Sequence, residues 1–341
     1  MDAYTGKVPV ALLEKYVFAR TGVRDSSVLL GPAYGEDAAI IDVGGGTLLV
    51  VHSDPITAAS ELAGWLAVHV ASNDVAVRGA RPRWLSAVLL LPEGFSEALL
   101  DELTRQMDKA AREVGVAIVG GHTEAAPGLK RPIISVTAMG ITDRSRVVVT
   151  SGARPGDVVV MTKTAAVEGT AIMATDFADE LLRRGVSEEI IASGRRFIQR
   201  VSVVREALAL AERGLATSMH DPTEGGVLGG VAEVAYASRA RIVVYEERVP
   251  VAEETRTMAD ALGVDPLKLI SSGTLVATVP RDRVDEALEA LRIVGVEASV
   301  IGEVVEKVPE GAAEVVRRDG RRERLPKQVV DEIYRLAQLL S

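Results

Sequence analysis

Four short polar clusters in the first 124 residues carry the side chains best suited to chemistry. They are Gly35-Glu36-Asp37, His52-Ser53-Asp54, Asn73-Asp74 and Gly120-Gly121-His122-Thr123-Glu124. Most stand where an apolar run meets a turn. Asp37 opens the first strand of a predicted hairpin and Asp54 follows the second, so antiparallel pairing brings them close. Converging carboxylates repel one another unless a hard cation lies between them. Oxygen-only donors suit magnesium, which keeps several waters and shares phosphate oxygens. The clusters together point to a magnesium–nucleotide site. Taken singly, each carboxylate could equally cap a turn, a common role for Asp.

Asn73-Asp74 lies inside the apolar helical stretch from Trp65 to Val77. A carboxylate buried there without a partner would cost on the order of several kcal/mol. Asp74 therefore faces solvent, meets a cation or joins a donor network. Gly120-Gly121 ends an apolar strand; paired glycines admit close approach of a ligand, and a plain turn would use them too. In His220-Asp221-Pro222-Thr223-Glu224-Gly225-Gly226, the Asp-Pro-x-Glu pattern predicts a capping box with proline at the first helical position. Gly225-Gly226 and Gly229-Gly230 then need a further reason: phosphate approaching a helix N-terminus or tight helix packing.

All four histidines, His52, His69, His122 and His220, fall in or near these clusters. That supports a rival reading, a metallohydrolase using His and Asp ligands. No His-x-x-x-His pair exists, and His69 is expected in the core. Walker A, Gly-x-Gly-x-x-Gly and Gly-x-Ser-x-Gly patterns are absent. Lys163, a lone lysine after a strand, is expected at the surface.

The elements that must hold these residues follow from periodicity. A short amphipathic helix is predicted over 8–20. Strands at 38–43 and 47–51 are joined by Gly44-Gly45-Gly46, a tight turn. A helix follows over 59–79, a strand over 84–91, a helix over 96–114 capped by Ser96, and strands over 116–119 and 132–141. A polar, turn-rich stretch from Asp143 to Asp157 marks a boundary. Beyond it come a strand at 158–161, a helix over 188–211, a short strand at 216–219 and a glycine-rich helix over 225–237. Strands at 242–245, 274–279 and 298–304, a hairpin tip at Asp319-Gly320 and an amphipathic helix over 328–340 complete the chain. Alternating strands and helices predict an α/β fold. Two domains are expected, 1–150 and 151–341.

Composition narrows the function. Apolar residues make up 48% and aromatics only 4%, so cores must be built from Val, Leu, Ile and Ala. A net charge of -9 argues against a nucleic-acid or anionic-membrane partner. With no cysteine, disulfides, thiolate zinc sites and a cysteine nucleophile are excluded. The N-terminus lacks a signal-peptide pattern and no apolar run approaches spanning length; a cytoplasmic protein is expected.

In order, these motifs resemble the superfamily of aminoimidazole ribonucleotide (AIR) synthetase. It includes formylglycinamidine synthetase, thiamine-monophosphate kinase, selenophosphate synthetase and the hydrogenase maturation factor HypE. Gly35-Glu36-Asp37-Ala38-Ala39 resembles its Gly-Asp-Asp-Ala-Ala turn, and His52-Ser53-Asp54 its second acidic strand end. Asn73-Asp74-Val75-Ala76 with Gly79-Ala80-Arg81-Pro82 resembles its Asn-Asp helix. Gly120-Gly121-His122-Thr123-Glu124 resembles its Gly-Gly-(Glu or Asp)-Thr turn, Ala153-Arg154-Pro155-Gly156-Asp157 the entry to its second domain, and 220–226 the HypE stretch Asp-Pro-Thr-Arg-Gly-Gly.

The resemblance implies two α/β domains, the N-terminal sheets of two subunits joining into a barrel in a homodimer, and the C-terminal domain an α/β sandwich. It implies ATP and magnesium as cofactors, with Asp37, Asp54 and Asp74 as metal ligands. Asn73, Asp74, His122 and Asp221 are the implied catalytic residues. Gly35, Glu36, Asp37, Asp54, Gly120, Gly121, Thr123, Glu124, Thr223, Gly225 and Gly226 are the implied nucleotide-binding residues. The implied reaction phosphorylates the oxygen of an amide or carboxyl-type group to make it a leaving group. Glu36 and His122 depart from the pattern, and Glu124 could make up for the latter. HypE converts a C-terminal cysteine to a thiocyanate; this sequence, without cysteine, is expected to act on another acceptor. A small-molecule kinase and a non-catalytic nucleotide-binding assembly protein are the alternatives.

Overall fold

The computed structural model describes residues 6–57 and 62–337, with no account of the Ala337 side chain. The chain forms two compact units. One holds Asp25–Gly31 and Asp37–Val147; the other holds the described residues up to Arg24, Pro32–Glu36 and the chain from Val148 on. The short helical segment Val10–Leu12 with its π-turn Leu13–Phe18 therefore belongs with the C-terminal residues.

The first unit is a mixed sheet of β1 (Val28–Leu30), β2 (Ala39–Gly44), β3 (Thr47–Ile56), β4 (Arg81–Pro92), β5 (Ala117–Ala126) and β6 (Ile133–Asp143). Their order is β1-β2-β3-β6-β4-β5, and only β4 and β5 run parallel. Alternation sets the faces. Leu48, Val50 and Ile56 of β3, and Ile134, Val136 and Ala138 of β6, are buried on the helix side. Gly44, Gly45 and Gly46 all have positive φ and make the tight β2–β3 turn.

Helix Ala63–Val77 lies between this sheet and helix Glu97–Val114, and all 15 of its residues are buried. A helix covered on both sides has no polar face to keep, which is why its apolar residues show no stripe. Gly64 permits the close crossing, since a Cβ there would stand 2.3 Å from the Leu103 carbonyl. Helix Glu97–Val114 is one-sided: Leu103, Gln106, Met107, Ala110 and Ala111 are buried. Ser96 caps it by accepting from the Leu99 N–H at 3.2 Å.

The second unit holds β7 (Val158–Thr162), β8 (Ser218–His220), β9 (Ala240–Tyr245), β10 (Val276–Val279), β11 (Ala298–Lys307), β12 (Ala312–Val316) and β13 (Arg322–Leu325), in the order β13-β12-β9-β11-β7-β10-β8. The β12–β13 hairpin turns at Asp319-Gly320 as expected. Where one helix is expected over 188–211, the chain forms helix Glu188–Arg195, a 3-10 turn Arg196–Arg200 and helix Val204–Ala211. The break has a cause. The Arg200 and Ser202 carbonyls turn away from helical bonding to meet Lys163 Nζ at 3.1 and 2.6 Å. The expected helix over 328–340 appears as Ile333–Ala337; Leu340 and part of the predicted 59–79 helix lie outside the described residues. Among the described residues no helix is long and apolar enough to cross a membrane.

Candidate functional site

In the first unit, Asp37, His52, Asp74 and Arg78 form one network. β3 sends His52 and Asp54 to its helix side, in phase with Leu48 and Val50. Helix Ala63–Val77 brings Asn73 and Asp74 to the same layer, and both are buried. His52 Nε2 lies 3.2 Å from Asp74 Oδ2. Arg78 Nη2 donates to Asp37 Oδ2 at 2.8 Å, with Arg78 fully buried and Asp37 9% exposed. Burial pushes the His52 imidazole below its ordinary range; the Asp37 carboxylate opposes this and the Arg78 guanidinium adds to it. His52 is therefore neutral at neutral pH and offers Asp74 a hydrogen bond rather than a charge. The β2–β3 ladder ends at Ala39 opposite Val51, and that register continued would set Asp37 beside Ser53, next to Asp54.

The donor chemistry fits a hard cation: carboxylate oxygens on a buried face, with no thiolate and with a neutral imidazole alongside. Within this unit, among the described residues, no three acidic or imidazole groups bring ligand atoms within 4.8 Å of one another. Asp37 and Asp74 are linked through Arg78 and His52 without forming a closed cage.

The Gly120–Glu124 segment forms the middle of β5, and among the described residues β5 pairs only with β4. Gly121 is needed by the sheet: φ is +150° and a Cβ would stand 1.7 Å from the Ala87 carbonyl. A Cβ on Gly120 would meet nothing within 4 Å. Beside it a cleft of about 270 Å³ is lined by Ala87, Leu89, Thr104, Met107, Ile118, Gly120, Gly121, His122 and Thr123. His122 Nε2 and Glu124 Oε2 form an exposed pair at 3.1 Å.

In the second unit, several expected ligands have structural duties. Gly35 sits with φ +74° against helix Gly226–Ala237, where a Cβ would be 3.2 Å from the Glu233 carbonyl. Glu36 accepts from the Thr150 and Ser151 N–H groups at 3.0 and 3.1 Å and from Ser151 Oγ at 2.7 Å. It thereby caps the turn Thr150–Gly152. The capping box predicted at Asp221–Glu224 does not form. The helix starts at Gly226, and Gly225, in the left-handed region, is its cap. The Gly225 N–H donates instead to Asp331 Oδ2 at 2.6 Å. Glu224 accepts from the Lys7 N–H and the Tyr334 hydroxyl, at 3.1 and 2.6 Å.

The glycines of this helix are explained by packing. A Cβ at Gly226 would approach the Leu267 and Leu269 carbonyls to 2.6 and 2.7 Å, and one at Gly230 the Pro222 ring to 2.7 Å. Asp221 is buried beyond the end of β8, and the Thr223 carbonyl accepts from the Gly226 and Ser271 N–H groups. His220 Nε2 lies 2.6 Å from Glu233 Oε2. Burial works to raise the Glu233 carboxyl, but Lys7 and His220 outweigh it and hold the group at about 2.

His69 is buried with its ring centroid 4.6 Å from that of Trp65, the core position expected. Lys163 is not the surface residue expected. Its Nζ lies 2.6 Å from Glu206 Oε1 and reaches the Gly273 carbonyl besides those of Arg200 and Ser202.

Sequence reasoning passed over Arg78. The signal was there: a guanidinium directly after an apolar helix, flanked by Val77 and Gly79, needs an acidic partner if the helix is buried.

The AIR synthase related protein family matches twice, its N-terminal domain over residues 35–142 and its C-terminal domain over residues 154–313. A putative hydrogenase expression/formation protein of Methanocaldococcus jannaschii is 29% identical over 89% of both chains. The carbamoyl dehydratase HypE of Rhizobium leguminosarum bv. viciae is 30% identical over 80% of this chain and 77% of its own. Among solved structures, HypE in complex with ATP superposes with a TM-score of 0.71 at 28% identity, covering 94% of this chain and 95% of that one. HypE in its complex with HypF gives 0.73 at 27%, covering 93% and 99%. This chain belongs to the AIR synthase related protein family and shares its two-domain α/β fold.

Proposed function

We propose that this protein is an ATP- and magnesium-dependent enzyme that phosphorylates the oxygen of a carbamoyl, amide or related carboxyl-type group. The observation that carries the reading is the buried network of Asp37, His52, Asp74 and Arg78. A helix spends buried carboxylate and guanidinium groups there where small apolar residues would pack at lower cost. Two relatives support the chemistry: a HypE bound to ATP and one named carbamoyl dehydratase.

In this reading the region 37–147 holds the phosphates and the ion. Asp37, Asp54 and Asp74 are the metal ligands, and magnesium supplies charge neutralisation on the transferred phosphoryl group. Asn73 donates to phosphate or acceptor oxygen beside Asp74. His52, neutral, orients Asp74 without cancelling its charge. Gly120, Thr123 and His122 line the cleft at β5 and present backbone and hydroxyl groups to the nucleotide, and Glu124 keeps His122 in place. In the C-terminal region, buried Asp221 is the proposed base, and Thr223 with Gly225 and Gly226 shapes the backbone around it. Glu36 and Gly35 support this indirectly, through the turn and the helix that they hold.

The acceptor oxygen attacks the γ-phosphorus, its bond to phosphorus forms, and the bond to ADP breaks. For a carbamoyl group, loss of phosphate and of the amide protons then leaves a nitrile, which is dehydration overall. No cysteine exists in these 341 residues, so none of them serves as a thiol acceptor. The partly buried outer face of the first sheet, with Trp84, Val88, Met139 and Ile141 and the edge strand β5, suits a second copy of the chain.

The test is ADP release with magnesium and a panel of carbamoyl, amide and carboxylate acceptors. Wild type is expected to turn over at least one class. Asp74→Asn is expected to fold and to lose turnover by roughly a hundredfold or more. Silence across the whole panel would remove the reading.

A further inference from the structure

Arg78 is the largest fully buried side chain among the described residues. Around it the helix end is built of Val75, Ala76, Val77, Gly79 and Ala80. Its Nη2 holds Asp37 Oδ2 at 2.8 Å, and its charge also bears on His52, which touches Asp74. A guanidinium does not lose its proton in a protein, so this positive charge is permanent.

We propose that Arg78 is a built-in counter-cation of the acidic site, occupying Asp37 in the metal-free protein and setting how strongly a divalent ion is held. The proposal rests on the cation reading given above and adds a residue to it. A charge balance explains the effect. Asp37, Asp54 and Asp74 bring three negative charges and Arg78 one positive. The site carries about two net negative charges from these groups instead of three. A divalent ion arriving from water meets a weaker field and a carboxylate already engaged. Such a site keeps its acidic groups together without metal and takes the ion weakly until phosphate oxygens add their own charge.

The alternative role for Arg78 is an anchor that merely orients Asp37. The two roles separate by charge. Mn2+ binding is measured without nucleotide, from the electron paramagnetic resonance signal of the free ion, at fixed pH and ionic strength. The proteins are wild type, Arg78→Met, Asp37→Asn and the double variant Asp37→Asn/Arg78→Met. Arg78→Met is expected to tighten Mn2+ roughly tenfold or more, and Asp37→Asn to weaken it by a similar factor. The double variant restores the wild-type net charge and is expected within about threefold of wild type.

A double variant as weak as Asp37→Asn makes Arg78 an anchor only and overturns the proposal, as does unchanged affinity in a folded Arg78→Met. If Arg78→Met does not fold, the comparison of Asp37→Asn with the double variant decides, because that variant buries neither charge. Absence of Mn2+ binding by every protein, wild type included, removes the cation reading itself. Binding that ignores the charge order removes only the role of Arg78.

Discussion

Arg78 of the first unit and Lys163 of the second are both long cations drawn out of water, and they are held in different ways. In the C-terminal unit, Lys163 meets Glu206 and three backbone carbonyls, from Arg200, Ser202 and Gly273. Three ammonium protons among four acceptors leave nothing to offer a ligand. Arg78 holds the Asp37 carboxylate, within a network that also includes His52 and Asp74. A charge held mostly by backbone carbonyls is a fastener; Arg78 instead holds a carboxylate that the proposed ion would use. The same contrast runs through glycines and carboxylates of the two units. Gly226 and Asp331 are closed in by backbone, while Gly120 opens on a cleft.

The sharpest way to break the contrast is Lys163→Met. It strands Glu206, 1% exposed, as a buried anion and frees three carbonyls. A loss of about 4 kcal/mol is expected, read by urea unfolding. Because Lys163 offers nothing to a ligand, any folded fraction is expected to bind Mn2+ as wild type does. A folded Lys163→Met with altered ion affinity would erase the distinction.

Gly226→Ala comes next. The residue sits at φ +63° and its Cβ would press on two carbonyls from the 267–269 segment. Backbone strain and overpacking together cost about 3 kcal/mol, measured the same way. A neutral result would mean that the start of helix Gly226–Ala237 has room, reopening it to phosphate.

Asp331 tests the contrast among carboxylates. Burial raises its carboxyl from 3.8 to about 6, against N–H groups from Ile333, Gly225 and Ile270 that pull the other way. A raised folded value means stability present below pH 3.8 and lost as the pH rises through 6. Measured as wild type minus Asp331→Asn, unfolding free energy is expected to fall by about 2 kcal/mol between pH 4 and pH 7. A flat difference would show that the N–H groups cancel the burial.

Strands β2, β3, β4 and β6 were legible because they alternate and Gly44-Gly45-Gly46 marks a turn; β1 was not foreseen, and β5, expected to end at Gly120-Gly121, continues to Ala126 because β4 pairs with it throughout. The Ser96 cap and the Asp319-Gly320 hairpin were legible for the same local reasons. The acidic network was half legible. Asp37 and Asp74 stood out as carboxylates in apolar surroundings, but Arg78 read as an ordinary charge at a helix end. That it is fully buried and meets Asp37, forty-one residues away, is a fact of tertiary structure. The break at 196–203 was hidden because its local mark is slight, Ser202 Oγ accepting from the Val204 N–H at 3.4 Å, while the firmer hold comes from Lys163, more than thirty residues away. The capping box at Asp221 failed for a similar reason. Asp331, 106 residues beyond Gly225, supplies the acceptor that a local cap would have provided, and the helix start moved to suit.

The smallest effect is expected at Gly120, and it sharpens the contrast most. Gly120 and Gly226 are indistinguishable as letters, each part of a glycine pair. A Cβ at Gly120 meets nothing within 4 Å, so Gly120→Ala is expected to change stability by less than about 0.5 kcal/mol. The added methyl stands at the rim of the cleft that Thr123 and His122 also line. A nucleotide whose phosphates press against this backbone would lose about 1 to 2 kcal/mol of binding, roughly a tenfold rise in Kd. Titration with a non-hydrolysable ATP analogue and magnesium reads that change directly. Unchanged affinity in the Ala variant would mean that the open space at Gly120 is a gap in an edge strand and that the nucleotide lies elsewhere. Gly121→Ala is no substitute for this test, because its Cβ would collide with the Ala87 carbonyl at 1.7 Å and disturb the sheet whether or not a ligand binds.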